Sequence, residues 1–324
     1  MHREEGAMGN TIVLTDAACD MPRSMIEQLG LGVVPFRIRA GDMFVEDRRD
    51  EEALPQLYRK YLVNKQDHFA ESIPLLEREI EDYLLKHVVT QYDRALLLTI
   101  ASSRSHFYNH ATGSVVGTTA KSFKPRKDAG RSGLFELTVV DTGAIGPGQA
   151  LLVHEAARML REGAEVRDVV HVIENRLRDA SHVFLVPDEL LYMYTRAKQK
   201  GEKSITWGRY MMGTAFNVRP LIRMHRGETE AIAKVRGSEE GIRRLMAHVE
   251  TMIAEERLAT PVVAITYSGA LDAVYRMDAV QSLRRVAQEH GVEVLFAPMS
   301  LTVALNVGAN AFSVGYLSDS PVPI

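Results

Sequence analysis

Short apolar runs alternate along this chain with stretches whose apolar residues fall at helical spacing. Ile12-Val13-Leu14 reads as a buried strand that ends in Thr15 and Asp16. Asp20 before Met21-Pro22 predicts an N-cap carboxylate and a first-turn proline, opening a helix from Arg23 to Leu29 that stops at Gly30. Ala95 to Ala101 is the clearest buried strand; Ser102-Ser103-Arg104-Ser105 ends it, and a helix follows from His106 to Ala120. Leu137 to Asp141 repeats the theme, followed by TGAIGPGQ and a helix from Ala150 to Arg161. Strand, polar turn and helix in this recurrence predict a parallel sheet with crossover helices, its turns gathered at one edge. Free helix amides and strand-end hydroxyls face the crevice at that edge, where an α/β protein holds an anionic ligand.

Between these units, Gly32 to Ile38 reads as a second strand whose Pro35 marks an edge or terminus. Residues 46–52, EDRRDEE, read as a solvated loop. Leu54 to Leu62 and Leu75 to His87 read as helices, with a loop between them into which Phe69 and Ile73 tuck. After Gly163 a helix is expected over Arg167 to Ala180, and then the pattern changes. His182 to Val186 is a strand, Glu189 to Lys200 and Ile205 to Met212 are helical, and Val218 to Met224 and Glu230 to Val235 flank HRGET as a hairpin. Helices over Glu239 to Arg257 and Leu271 to His290 alternate with strands over Pro261 to Tyr267, Val292 to Ala297 and Ala311 to Leu317. A hairpin among such units calls for a mixed sheet. The expectation is an α/β protein of two domains, residues 1–165 with the parallel sheet and residues 166–324 mixed, with a ligand crevice between them.

Composition narrows the function. The 324 residues are 46% hydrophobic and 25% charged, which fits a folded globular chain. A net charge of −3 gives no global attraction to nucleic acid or anionic membrane. One cysteine, Cys19, excludes an internal disulfide framework and a multi-cysteine metal site. No run approaches the roughly 18 apolar residues of a membrane span, and the polar start MHREEGAMGN does not read as a secretory signal. A cytoplasmic address with no integral membrane association is therefore expected.

The chemistry-bearing constellations are few. Ser102, Ser103 and Ser105 beside His106 raise a serine nucleophile and base, but no Gly-x-Ser-x-Gly elbow surrounds them. Hydroxyls at a strand end serve more often as helix caps or anion ligands. Asp16 is a candidate base or metal ligand, or a brace that accepts turn amides. GAIGPG at 143–148 fails dinucleotide-loop spacing and loses a donor amide at Pro147, so no cofactor is expected. The eleven histidines show no metal-site spacing. Met193 among Tyr192 and Tyr194, and Met211-Met212 with Phe216, read as core or as the lining of an apolar tunnel.

Taken in order, these segments resemble the DegV family, bacterial fatty-acid-binding proteins that present an acyl chain to a fatty acid kinase. The resemblance rests on IVLTDAACDMP at 12–22, GVVPFRI at 32–38, LLLTIASSRSHFYNHA at 96–111 and VVDTGAIGPGQALLVHEAARML at 139–160. NVRPLI at 217–222, GETEAIAKVRG at 227–237 and the C-terminal NVGANAFSVGYL extend it over nearly the whole chain. It implies the two-domain EDD fold, with a fatty acid between the domains, its carboxylate held by polar side chains, and no bond broken in this subunit.

Departures from the family pattern fall at the head-group site. Ala17 follows Thr15-Asp16 where the family has serine, and Phe69-Ala70 stands where a threonine-serine pair is usual. Ser105-His106-Phe107 replaces Ser-Gly-Thr, no glycine-glycine-arginine segment is recognisable around Lys200 to Ile205, and Asn306 stands where the family has histidine. Ser102 and Ser103 keep their places. Asn306 donates only a neutral hydrogen bond, roughly half as strong as a charge-assisted one, so Arg104 and His106 are candidates to rebuild the grip. Phe69 and Phe107 are expected to shorten or reroute the slot.

The resemblance thus implies non-catalytic binding of a long-chain fatty acid, with Thr15, Asp16, Phe69, Ser102, Ser103, Ser105, His106 and Asn306 as candidate ligand contacts and a fatty acid kinase subunit as partner. Two rivals stay open: a divergent paralogue that binds another small anion, lipid or protein, and a serine hydrolase.

Overall fold

The computed structural model describes residues 10–62, 70–199 and 217–324. The first half runs β1 (Thr11–Asp16), α1 (Arg23–Leu29), β2 (Gly32–Val34), β3 (Phe36–Ala40), β4 (Met43–Asp47), α2 (Leu54–Tyr61), β5 (Glu71–Ile73), α3 (Glu77–His87), β6 (Arg94–Thr99), α4 (Phe107–Asp128), β7 (Glu136–Asp141) and α5 (Pro147–Arg161). A helix then runs from α6 (Val166–Val172) through a π-helical turn (Ile173–Leu177) to α7 (Arg178–Ala180). The second half continues with β8 (Ser181–Val186), α8 (Leu190–Gln199), β9 (Val218–His225), β10 (Glu228–Arg236) and α9 (Ser238–Ala254). It closes with β11 (Val262–Tyr267), α10 (Leu271–Tyr275), α11 (Asp278–Glu289), β12 (Glu293–Pro298), α12 (Leu301–Val307) and β13 (Phe312–Leu317).

The strands form a parallel sheet ordered β2-β1-β6-β7, a mixed sheet ordered β10-β9-β8-β13-β11-β12, and a small antiparallel sheet ordered β4-β3-β5. β1, β6 and β7 are parallel neighbours, so the turns after Asp16, Thr99 and Asp141 meet at one edge, as the alternation predicts. The hairpin is present. Arg226 and Gly227 both have positive φ, 51° and 75°, the backbone of a two-residue primed turn.

The helix that organises the molecule is α5. It packs on β1 and β6 on one side and on β8, β11 and β13 on the other. Pro147 to Ala157 are accordingly all buried, the polar Gln149, His154 and Glu155 among them, as a helix sandwiched between two sheets requires. Glycine permits the close approach: a Cβ on Gly148 would lie 2.5 Å from Val183 Cγ2, and one on Gly315 3.2 Å from Gly148 N.

Several local expectations are corrected. The single strand expected over Gly32 to Ile38 is two: Pro35 marks a strand terminus as expected, ending β2 in the parallel sheet, and the chain then enters a different sheet as β3. Asp20 does not cap α1. The helix begins at Arg23, and the carboxylate that accepts the Arg23 amide belongs to Glu51, 2.8 Å away. Asp20 is buried and accepts from Ser300 N at 2.7 Å. The charge run at 46–52 is not all solvated, since Asp47 and Arg49 are both 3% exposed. Arg49 donates to the carbonyls of Met21 and Pro298, each at 3.2 Å, and Asp47 accepts from the Thr302 amide and hydroxyl. Two of these charges thereby join the first half to β12 and α12. Leu301–Val307 is a helix within what reads as one apolar run, and a break at Arg276-Met277 splits the helix expected over 271–290. The loop before α3 contributes β5. The helix expected over 205–212, Phe69 and the 200–205 segment lie outside the described residues. Among the described residues, no helix is long and apolar enough to cross a membrane.

Candidate ligand-binding site

A cavity of about 140 Å³ lies off the N-terminus of α5, between the parallel sheet's carboxyl edge and the mixed sheet. That is roughly ten times the space one water requires. Its walls come from both halves: Phe36, Ile100 and Ile145 face Leu185, Ile222 and Met224, while Met193 and Val303 add the flanks from α8 and α12. The Phe36 ring is backed by Phe107, ring centroids 5.0 Å apart and edge-on. Phe107, expected to reroute the slot, thus stands behind its wall.

The polar part of the lining is small. It includes Arg104 and Ser105 from the turn after β6, Arg196 from α8, Thr229 from β10, and Thr302 and Asn306 from α12. No Asp or Glu lines the cavity among the described residues. Arg196 is only 3% exposed, so its guanidinium lies beside the slot in a low-dielectric setting. Asn306 donates to Thr302 O at 2.9 Å, one helical turn back. Ser105 Oγ accepts from Phe107 N at 3.2 Å, the helix-start role of a strand-end hydroxyl.

Of the eight residues named from sequence, Ser105 and Asn306 reach the cavity together. Ser102 and Ser103 occupy the same turn but are exposed, as is His106, and none of the three lines the void. Ser102 is fixed by its amide, which donates to Asp141 Oδ1 at 3.1 Å. Among the described residues no hydrogen bond joins these serines to an imidazole.

Thr15 and Asp16 are buried behind the wall. Thr15 Oγ1 donates to Leu98 O and accepts from Gln149 Nε2, both at 3.1 Å. Asp16 accepts from Ala18 N at 2.9 Å, from Ile100 N at 2.6 Å and from Gln149 Nε2 at 3.2 Å. The Ile100 bond ties the brace to a cavity-lining residue. Burial pushes the Asp16 carboxyl up to about 7 against the pull of these donors. Burial also pushes the Cys19 thiol up to about 12, leaving it unreactive. Among the described residues no group of three His, Cys, Asp or Glu side chains is placed to hold a metal ion.

Sequence reasoning missed Arg196 and Thr229. Arg196 reads as the basic end of an amphipathic helix, and nothing in LLYMYTRAKQ says which face turns inward. Thr229 carried a usable signal, a lone hydroxyl alternating with the charged Glu228 and Glu230, and the structure has the three exposed, half-buried and exposed along β10.

The family model described as "Uncharacterised protein, DegV family" matches residues 10–319. A DegV domain-containing protein of Xanthomonas axonopodis pv. citri is 32% identical over 308 residues, covering 95% of this chain and 97% of the relative. A Thermotoga maritima protein named fatty acid-binding protein is 23% identical over 311 residues, 94% of this chain and 96% of its own. Among solved structures, a DegV family protein from Thermus thermophilus, described by its fatty acid binding, superposes with a TM-score of 0.71 at 23% identity, covering 95% of this chain and 99% of that one. DegV from Bacillus subtilis, described as a fatty acid binding protein, gives 0.70 at 13% identity over 96% and 100%. These likenesses establish the shared fold.

Proposed function

The chain belongs to the DegV family, and on that premise we propose that it binds a long-chain fatty acid in the cavity between its two sheets without transforming it. The observation that carries this reading is the lining itself: an apolar slot with two arginines and, among its described residues, no carboxylate. An acyl tail gains roughly 0.8 kcal/mol for each methylene it buries in such a slot. A carboxylate head gains charge-assisted hydrogen bonds from Arg104 and Arg196, with Ser105 and Asn306 as neutral donors. Relatives named or described for fatty acid binding support the same cargo.

Presentation to a partner fatty acid kinase is part of the proposal. It is supported by the turn in which Arg104 and Ser105 line the cavity while Ser102, Ser103 and His106 stand exposed, so a partner reaches the surface next to the head group. The cargo is tested by delipidating the protein, adding cis-parinaric acid and displacing it with palmitic or oleic acid. Saturable one-to-one fluorescence, lost on displacement, is expected. A protein that takes up neither probe nor acid contradicts the reading.

A second reading, a paralogue that binds a different small anion, draws on Asn306, since a neutral amide replaces a group able to carry charge. Displacement of the probe by a short carboxylate as effectively as by oleic acid would favour it.

A further inference from the structure

The β9–β10 hairpin reaches across to the serine turn. Arg104 Nη2 donates to Gly227 O at 3.3 Å and to the Thr229 hydroxyl. Gly227 sits against Ser103, so closely that a Cβ there would lie 3.0 Å from Ser103 Oγ. Beside its turn the hairpin is anchored independently, with His225 Nδ1 3.0 Å from Ser181 O and the His225 ring stacked on His182, centroids 4.2 Å apart. Thr229 lies two residues beyond Gly227, on the inward face of β10, with its side chain on the cavity.

A hydroxyl offers one donor and two acceptor positions. The Thr229 oxygen is already accepting from a guanidinium, which fixes its orientation and, through cooperative polarisation, strengthens its O–H as a donor. Ser105 is arranged the same way: its oxygen accepts the Phe107 amide, leaving its O–H to donate. Two pre-oriented hydroxyls from opposite halves, and the arginine bonded to one of them, thus line the same void. We propose that Thr229 is a head-group ligand, its hydroxyl held by Arg104 and donating to the cargo carboxylate, so that the hairpin closes the site from the second half. This rests on the fatty-acid reading and adds to it a contact from β10, with Arg104, itself a head-group ligand in that reading, also orienting the Thr229 hydroxyl.

The test compares oleic acid with methyl oleate, which has the same tail and no charged head, by displacement of cis-parinaric acid. Thr229→Val keeps the side-chain volume and removes the donor. The preference for acid over ester is expected to fall about fivefold, the difference between a hydrogen bond to a charged and to a neutral acceptor. Thr229→Ser is expected to keep the wild-type preference, with thermal melting confirming that both variants fold. A Val variant that weakens acid and ester equally, or leaves both unchanged, overturns the assignment while sparing the cavity. A wild-type protein that binds neither compound overturns the fatty-acid reading, and the assignment with it.

Discussion

The junction between the two sheets is built in opposite ways along its length. Around the body of α5 it is solid: Leu151, Leu152 and Val153 are all within 2% of full burial, and glycines at 148 and 315 bring helix and strand into contact. Off the N-terminus of the same helix it opens into a cavity lined by methionines, aliphatic side chains and two arginines. Packing at one end holds the halves in register, and that rigidity keeps the other end from collapsing. A cavity of this kind forfeits dispersion contacts that an apolar ligand would restore.

Removing the buried Arg49 that joins the two halves is expected to have the largest effect. Arg49→Met leaves Asp20 buried without its counter-charge and frees the carbonyls of Met21 and Pro298. A loss of about 3–5 kcal/mol is expected, read by urea denaturation. Leu152→Ala, in the solid part, is expected to cost about 2–5 kcal/mol by the same measurement, since the surrounding layers cannot collapse onto the gap.

Overfilling the two ends separates them further. Ala156→Phe at the fully buried face of α5 is expected to destabilise by about 1–3 kcal/mol. Val303→Phe, which projects into the cavity, is expected to change stability less than that and to abolish probe binding. Equal stability losses would erase the distinction between the ends.

A smaller effect is linked to pH. Asp16 has a folded pKa of about 7, above the ordinary 3.8, so the folded state holds its proton more tightly. Its contribution to stability is complete below about pH 4 and is lost as pH rises through 7, at up to about 1.4 kcal/mol per unit. His182 and His248, both held down to about 4 by burial, act in the opposite sense as pH falls below their ordinary 6.5. The difference between wild type and Asp16→Asn isolates the aspartate: the wild-type protein's relative stability is expected to decline from pH 4 to pH 7 in parallel urea titrations. A flat difference would contradict the raised value.

Much of the scaffold was legible because a buried strand in a parallel sheet must be apolar on both faces; β1 and β6 announce themselves for that reason, and half-buried β7 at the sheet's edge by the polar turn and helix that follow it. α12 was not, since Leu301 to Val307 is as apolar as a strand and too short for its period to decide. Asp20 and Arg49 show why charges mislead. Each lies in a stretch with ordinary cap or surface chemistry, and only their partners, Ser300 for Asp20 and Pro298 for Arg49, reveal that they are interior. The site divides similarly. Counting hydroxyls after β6 finds the right turn, but which of Ser102, Ser103 and Ser105 faces inward depends on how the turn curls toward Asp141 and α4. Arg196 becomes visible only once α8 is laid over the slot.

The central claim is tested most directly by native mass spectrometry of the wild-type protein and Val303→Phe, each incubated with oleic acid and desalted together. The account predicts a single adduct of one oleic acid on the wild-type chain and none on the variant. A bare wild-type chain, or an adduct that survives the phenylalanine, would contradict it.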